Sequence, residues 1–201
     1  MKDSENLFNR SERRDAAQNR QRILDTALKL FNEYGVENVS MNQIANVAQI
    51  GPGTLYRRYR NKGELCLDLI KDNVVLLFED LDAFLEENQN LPPEDRLKSI
   101  LQYYIKFRES KAQLLKGVED FERSNRTQSN GQSPLYNELH QILVSVFDEM
   151  KDSELNSPNS AFRADMLLAA LKSDTYLFQR EVRGYAPDEI LDQLWATFIG
   201  K

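Results

Sequence analysis

Apolar residues along this chain recur at intervals of three and four, and polar stretches interrupt them at uneven distances. This is the periodicity of helices that each bury one face. Ile23, Ala27 and Phe31 fall at i, i+4 and i+8, with Leu24, Leu28 and Tyr34 widening the stripe. The spacing predicts a helix from about Asn19 to Tyr34, stopped by Gly35. Two short helices follow, about Met41–Ala48 and Pro52–Tyr59. Ile44, Val47 and Ala48 form the stripe of the first, and the Ser40 hydroxyl suits its N-cap. Gly51 permits the turn between them, Pro52 fits the first position of the next helix, and Leu55 points inward. A long helix is predicted from about Lys62 to Phe84, with Leu65, Leu69, Ile70, Val74, Leu77, Phe78, Leu81 and Phe84 on more than one face.

The same spacing predicts helices over about Glu94–Glu109, Lys111–Arg123, Pro134–Lys151, Ser160–Arg183 and Pro187–Ile199. The polar stretches Glu86–Pro93, Ser124–Ser133 and Asp152–Asn159 read as connections. Residues 1–18 are polar apart from Leu7-Phe8 and read as a mobile basic arm. The expected fold class is therefore all-α, in three parts. An arm spans residues 1–18, a three-helix head spans 19–64, and a helical body spans 65–201.

Composition agrees with helices, since Gly (8) and Pro (6) are sparse in 201 residues. Cys66 is the single cysteine, which rules out an intramolecular disulfide and suits a reducing compartment. The longest apolar run, Val74 to Phe78, is too short to cross a bilayer, and no secretory signal is visible. A cytoplasmic protein without membrane association is expected. The net charge of −6 hides a division. Residues 1–64 hold 11 Lys and Arg against 8 Asp and Glu, while 65–201 hold 15 against 24. A basic head on an acidic body suits a protein that offers only its head to phosphate.

The basic residues of the head concentrate where two short helices meet. From Gln49 to Lys62 stand Arg57, Arg58, Arg60 and Lys62 without an acidic residue. A short, basic, exposed helix after a tight turn is the arrangement by which a helix-turn-helix enters a major groove. Spacing alone leaves a second reading open, in which these arginines form a solvated face. The run IANVAQIGPGTLYRRYRNKGEL then resembles the DNA-binding signature of TetR-family transcriptional regulators. Ile44-Ala45, Ala48, Gly53-Thr54-Leu55-Tyr56, Tyr59, Lys62 and Leu65 carry the resemblance, which extends back over Arg22–Gly35. The family often has Ser or Thr where Gly51 or Pro52 stands, so here the cap must come from backbone.

The resemblance implies a ligand-responsive regulator, a repressor, that binds a palindromic operator in double-stranded DNA as a homodimer and is released by a small-molecule effector. It places Met41, Asn42, Thr54, Tyr56, Arg57 and Arg58 at the groove or its walls, and Lys62 with Tyr56 on phosphates. An arginine there can fork onto guanine O6 and N7. It also implies that the last two helices pair with their copies, through Phe162, Met166, Ala169, Ala170, Ser173, Leu191, Leu194 and Trp195. Core packing inside one subunit is the alternative for that stripe.

In the body, Tyr103, Tyr104, Phe107, Phe121, Phe147 and Phe178 are candidates for an effector pocket, with His140, Gln113 or Glu119 orienting the ligand. Plain core packing is the alternative for each. Enzyme chemistry lacks a constellation. One His and one Cys exclude a multi-His metal site, and Gly51-Pro52-Gly53 lacks the third glycine of a dinucleotide loop. No cofactor is implied. Two rival readings remain, a module that binds a partner protein through the basic head and a helical enzyme using the aromatic cluster.

Overall fold

The computed structural model describes residues 2–124, 133–150 and 159–199, without the side chains of 2–15 and 121–124. The polar connections expected around 125–132 and 151–158, and the side chain of Phe121, lie outside the described residues. Among the described residues the chain is helical throughout, and no helix is long and apolar enough to cross a membrane. It divides into two units, Met1–Leu69 and Ile70–Lys201.

In the first unit, α1 (Lys2–Tyr34), α2 (Met41–Val47), α3 (Pro52–Arg58) and the start of α4 (Lys62–Glu87) surround one core. Ile23, Leu24, Ala27 and Phe31 of α1 are buried there with Ile44, Ala45, Leu55, Leu65 and Cys66. The backbone of residues 2–18, expected as an arm, is instead helical and continuous with α1. Polarity had argued against burial, but no Gly or Pro in residues 1–34 interrupts a helix there. Leu28 and Tyr34 lie exposed rather than widening the stripe. The division after Leu69, beyond residue 64, follows from Leu65 and Cys66 packing fully inside the head.

The turns of the head are closed by named residues. Gly35 takes φ 80° and donates its N–H to the Phe31 carbonyl at 2.9 Å, ending α1. Ser40 and Gln43 form a reciprocal capping box at the start of α2. Gly51 has φ −65°, an ordinary value, so it is not the residue that bends the turn. Gln49 is, at φ 54°, where a side chain is strained.

In the second unit, α5 (Pro93–Ser124) packs against α6 (Pro134–Glu149), α8 (Ser173–Leu177) and α9 (Pro187–Phe198), and α6 lies along α7 (Ser160–Ala170). Leu97, Ile100, Leu101, Leu139, Leu143, Phe147, Leu167 and Leu171 fill the interior. The two helices expected across 94–123 form one kinked element, its backbone leaving helical values at Lys111 (φ −128°, ψ 17°). The single helix expected over 160–183 is broken. Lys172 is extended at ψ 152°, α8 restarts at Ser173, and a π-helical turn covers Phe178–Val182 before Gly184 at φ 78°. The break coincides with contacts from another element. The Ser173 N–H donates to Glu119 at 2.7 Å and its hydroxyl meets Arg108 at 2.6 Å, which draws the chain out of the helical path.

Two predictions follow from these features. Gln49→Gly removes a side chain from left-handed backbone and should raise stability by about 0.5–1 kcal/mol, read as a higher urea midpoint. A lower midpoint would mean that the Gln49 side chain compensates the strain. Separately, burial pushes the Tyr136 and Tyr176 hydroxyls up, and their neighbours Asp165 and Glu109 add to the shift. Both favour the neutral form in the fold, and an unfolded tyrosine ionises near pH 10. Their stabilisation is therefore complete below about pH 10 and is lost as pH rises beyond it. Urea midpoints measured from pH 8 to 12 should fall on the alkaline side, and less steeply for Tyr176→Phe.

Candidate nucleic-acid interface and effector cavity

Recognition helix α3 is fixed from below and open above. Leu55 is fully buried and Tyr59, at its C-cap, is nearly so, while Tyr56, Arg57 and Arg58 are exposed and Thr54 is half-buried. Pro52 fills the first position, and Thr54 and Leu55 donate to the Gly51 carbonyl at 2.9 and 3.2 Å. A Cβ built on Gly53 would meet nothing within 4 Å, so the helix start is open on that side. Asn42 of α2 is exposed, and Arg60 adds a third exposed guanidinium just beyond α3. No described carboxylate pairs with Arg57, Arg58 or Arg60; the Arg58 guanidinium lies 5.9 Å from the Tyr59 ring centroid.

Three other cations of the head, Arg20, Arg22 and Lys62, are held by the protein itself. Arg22 donates to the Ala48 and Gln49 carbonyls at 2.7 and 3.0 Å, capping the C-terminal end of α2 and the turn behind it. Lys62, expected on phosphate, turns its ammonium to the Val36, Glu37 and Val39 carbonyls, the last at 2.8 Å. A chain loop carrying several converging carbonyls needs a cation there, so this lysine fixes the α1–α2 connection. Arg20 forks onto Asp68 at 2.6 and 2.9 Å, and the Tyr59 hydroxyl donates to the same carboxylate. The pair raises the already high Arg20 pKa, and burial with Asp68 raises that of Tyr59. Asp68 thereby ties α1 and the end of α3 to α4. Asn61 caps α4 by accepting from Glu64 N, and Glu64 accepts from Arg60 N.

Two expected positions are corrected. Met41 is buried in the head core at 7% exposure and does not face a groove. Val47, expected inside, is 55% exposed, and Ala45 takes its place. With only two turns in α2, its buried face is set by where α1 and α3 sit.

In the body the described candidate effector residues stand in several different surroundings. Tyr104 and Phe107 are buried and stack with ring centroids 6.4 Å apart, whereas Tyr103 lies 5.8 Å from Phe84. Phe147 is core, under the Arg163 guanidinium at 4.1 Å, and Phe178 is exposed beside Arg183. His140 stacks on Tyr136 and lies 3.3 Å from Asp165. Gln113 is exposed. Burial pushes the Cys66 thiol up to about 12, which leaves it unreactive near neutral pH.

A cavity of about 40 Å³ does form between α5, α6 and the α7–α8 bend, and Tyr104 and Glu119 are in its wall. Leu115, Leu139, Leu168 and Leu171 supply apolar lining. Beside it stands a residue that sequence reasoning missed. Arg108 is 1% exposed and donates to Glu119 at 3.1 Å and Ser173 at 2.6 Å, with its guanidinium 5.3 Å from the Tyr176 ring centroid. The signal was present, because Leu97, Leu101, Tyr104 and Arg108 share one helical stripe and a charge interrupts it.

Ser173 and Leu191, expected at a dimer face, are buried inside the unit. Trp195 is half-buried against the protein's own α5, with the Lys98 ammonium 5.6 Å from its ring. Phe162 and Met166 are exposed one turn apart on α7, with Ala169 and Ala170 half-buried beyond them and Leu194 half-buried on α9.

An exposed basic helix clamped onto a three-helix head defines a helix-turn-helix DNA-binding regulator. Residues 23–69 match the family model described as bacterial regulatory proteins, tetR family. An HTH-type transcriptional regulator of Staphylococcus aureus strain USA300 is 35% identical over 176 residues, covering 85% of this chain and 87% of the relative. The chain belongs to the TetR family of transcriptional regulators, which are not enzymes as a class. Its fold is similar to that of Thermus thermophilus FadR, a TetR-family repressor in complex with lauroyl-CoA (TM-score 0.63, 16% identity, 90% and 94% of the two chains). It is also similar to NalD of Pseudomonas aeruginosa, the secondary repressor of a multidrug efflux pump (TM-score 0.60, 21% identity, 93% and 97%). Family membership favours DNA binding over the protein-interaction module.

The capping cations generate a prediction. Lys62→Met and Arg22→Met each leave carbonyls of a tight turn without their donor, and each should cost about 1–3 kcal/mol of stability. Denaturant titration measures it, and a cost below about 0.5 kcal/mol for both would show that water replaces these cations.

Proposed function

We propose that this protein represses transcription by binding a palindromic operator as a homodimer, and that a small molecule in the body releases it. The observation that carries the reading is the exposed face of α3, which presents Tyr56, Arg57 and Arg58 above a buried Leu55. Thr54, Asn42 and Arg60 flank that face. Arg57 and Arg58 are assigned to base edges or phosphates, and Tyr56 to the phosphate backbone, which sets register.

A single two-turn helix reads few base pairs, so two copies placed about 34–36 Å apart are needed in successive major grooves. The apolar strip Phe162, Met166 and Ala169 of α7, with Leu194 of α9, is the surface assigned to pairing. The effector is assigned to the body, and α4, whose residues belong to both units, carries the change in head spacing. A coupling of about 1–3 kcal/mol gives between fivefold and a hundredfold loss of operator affinity.

Gel-shift titration against a palindromic operator, found by selection from random duplexes, tests the reading. Arg57→Ala with Arg58→Ala should weaken binding by at least about tenfold, since each base contact carries about 1–3 kcal/mol. Unchanged binding by the folded double variant would refute the assignment of α3.

A further inference from the structure

An ion pair with one partner in the wall of the body cavity and the other beside it bridges a bend in its own helix. Arg108 precedes the Lys111 kink and Glu119 follows it. In a straight helix, residues eleven apart lie about 16 Å from each other along the axis, beyond the joint reach of the two side chains. Here they meet at 3.1 Å, so the pair depends on the kink and holds it.

The two partners are unequally placed. Arg108 is 1% exposed, while the Glu119 side chain is 24% exposed and lines the cavity. The Glu119 carboxylate accepts from Arg108 and from the Ser173 N–H. It therefore sits in a ready-made anion position with a route to water. Arg108 Nε has no acceptor among the described residues, so the guanidinium has donor capacity to spare. Lys172 adds a second cation to the cavity wall. Glu109, which pairs with Arg180, also feels the Arg108 charge. Without Glu119, however, Arg108 would lose the one carboxylate it hydrogen-bonds among the described residues, a state that favours an anion able to replace it.

We propose that the effector is an acidic lipophile, an apolar body bearing one carboxylate-like group, and that its anion displaces Glu119 from Arg108. This rests on the reading that the body takes a small-molecule effector. Glu119 is the internal stand-in for the acid and keeps the cavity closed at about 40 Å³, too small for an organic molecule. Its release frees the Ser173 N–H and unfastens the kink at Lys111, so the part of α5 beyond the kink moves outward and the apolar lining accepts the ligand's body. Leu115, Leu139, Leu168 and Leu171 meet the chain, and Arg108 meets the acid.

Calorimetric titration of the full-length protein at pH 7 with decanoate and decylammonium below their micelle concentrations, and decan-1-ol below its solubility limit, tests the proposal. Decanoate should bind at least about tenfold more tightly than the alcohol, the ratio one charge-assisted hydrogen bond supplies. Glu119→Gln should tighten decanoate binding by at least about threefold, and by more than it tightens the alcohol, which gains from the loosened kink but not from the freed guanidinium. The double variant Arg108→Met with Glu119→Leu removes both charges and should keep the fold by circular dichroism while losing the preference for acid over alcohol. Equal binding of all three probes to the wild type, preference for the amine, or a double variant that still prefers the acid would overturn the acid assignment and leave the effector site standing. Binding of no probe to the wild type or to Glu119→Gln would overturn both.

Discussion

The head depends on how carbonyl groups at the ends of short helices are satisfied. A seven-residue helix such as α2 leaves a large share of its carbonyls without intrahelical partners. Arg22 supplies two hydrogen bonds to Ala48 and Gln49, and Lys62 draws together the carbonyls of Val36, Glu37 and Val39. These contacts come from α1 and from the start of α4, so the turn geometry is fixed by elements outside the motif. Asp68 does the same for the far end of α3 by holding Arg20 and the Tyr59 hydroxyl. Six cations around the helix-turn-helix thus fall into two sets. Arg20, Arg22 and Lys62 hold the scaffold, whereas Arg57, Arg58 and Arg60 stand on its surface.

The body uses charge differently. Arg108 and Glu119 are joined across a bend, and the same carboxylate draws Ser173 out of helical continuity. One buried pair thereby shapes both α5 and the α7–α8 break, next to the cavity. An effector that competes for either charge acts on two backbone irregularities at once. On the proposal above, breaking this pair is the step that a ligand biases.

The local features of this fold were legible in the sequence. The Ser40 cap, the Pro52 start, the buried Leu55 and the interruption near residue 110 each depend on neighbours a few positions away. What was not legible depends on distant partners. The carbonyls that Lys62 meets lie 23 to 26 residues earlier, so its hold on the α1–α2 connection could not be read from spacing. Met41 and Val47 exchanged roles because a two-turn helix has too few residues to define its buried face from spacing alone. The helix expected from 160 to 183 broke because of Glu119, on another element. The surroundings of the aromatic candidates were likewise not legible, since aromatic content does not say which rings share a wall.

The division of the cations can be measured through the salt dependence of operator binding. Each phosphate contact contributes about 0.9 to the slope of log K against log salt concentration. If Arg57 and Arg58 meet phosphates or bases while Arg22 and Lys62 hold the scaffold, Arg57→Ala or Arg58→Ala should lower the slope or the affinity directly. Arg22→Met and Lys62→Met should leave the slope of the folded protein unchanged. A slope lowered by about one for Lys62→Met, with stability intact, would contradict the account.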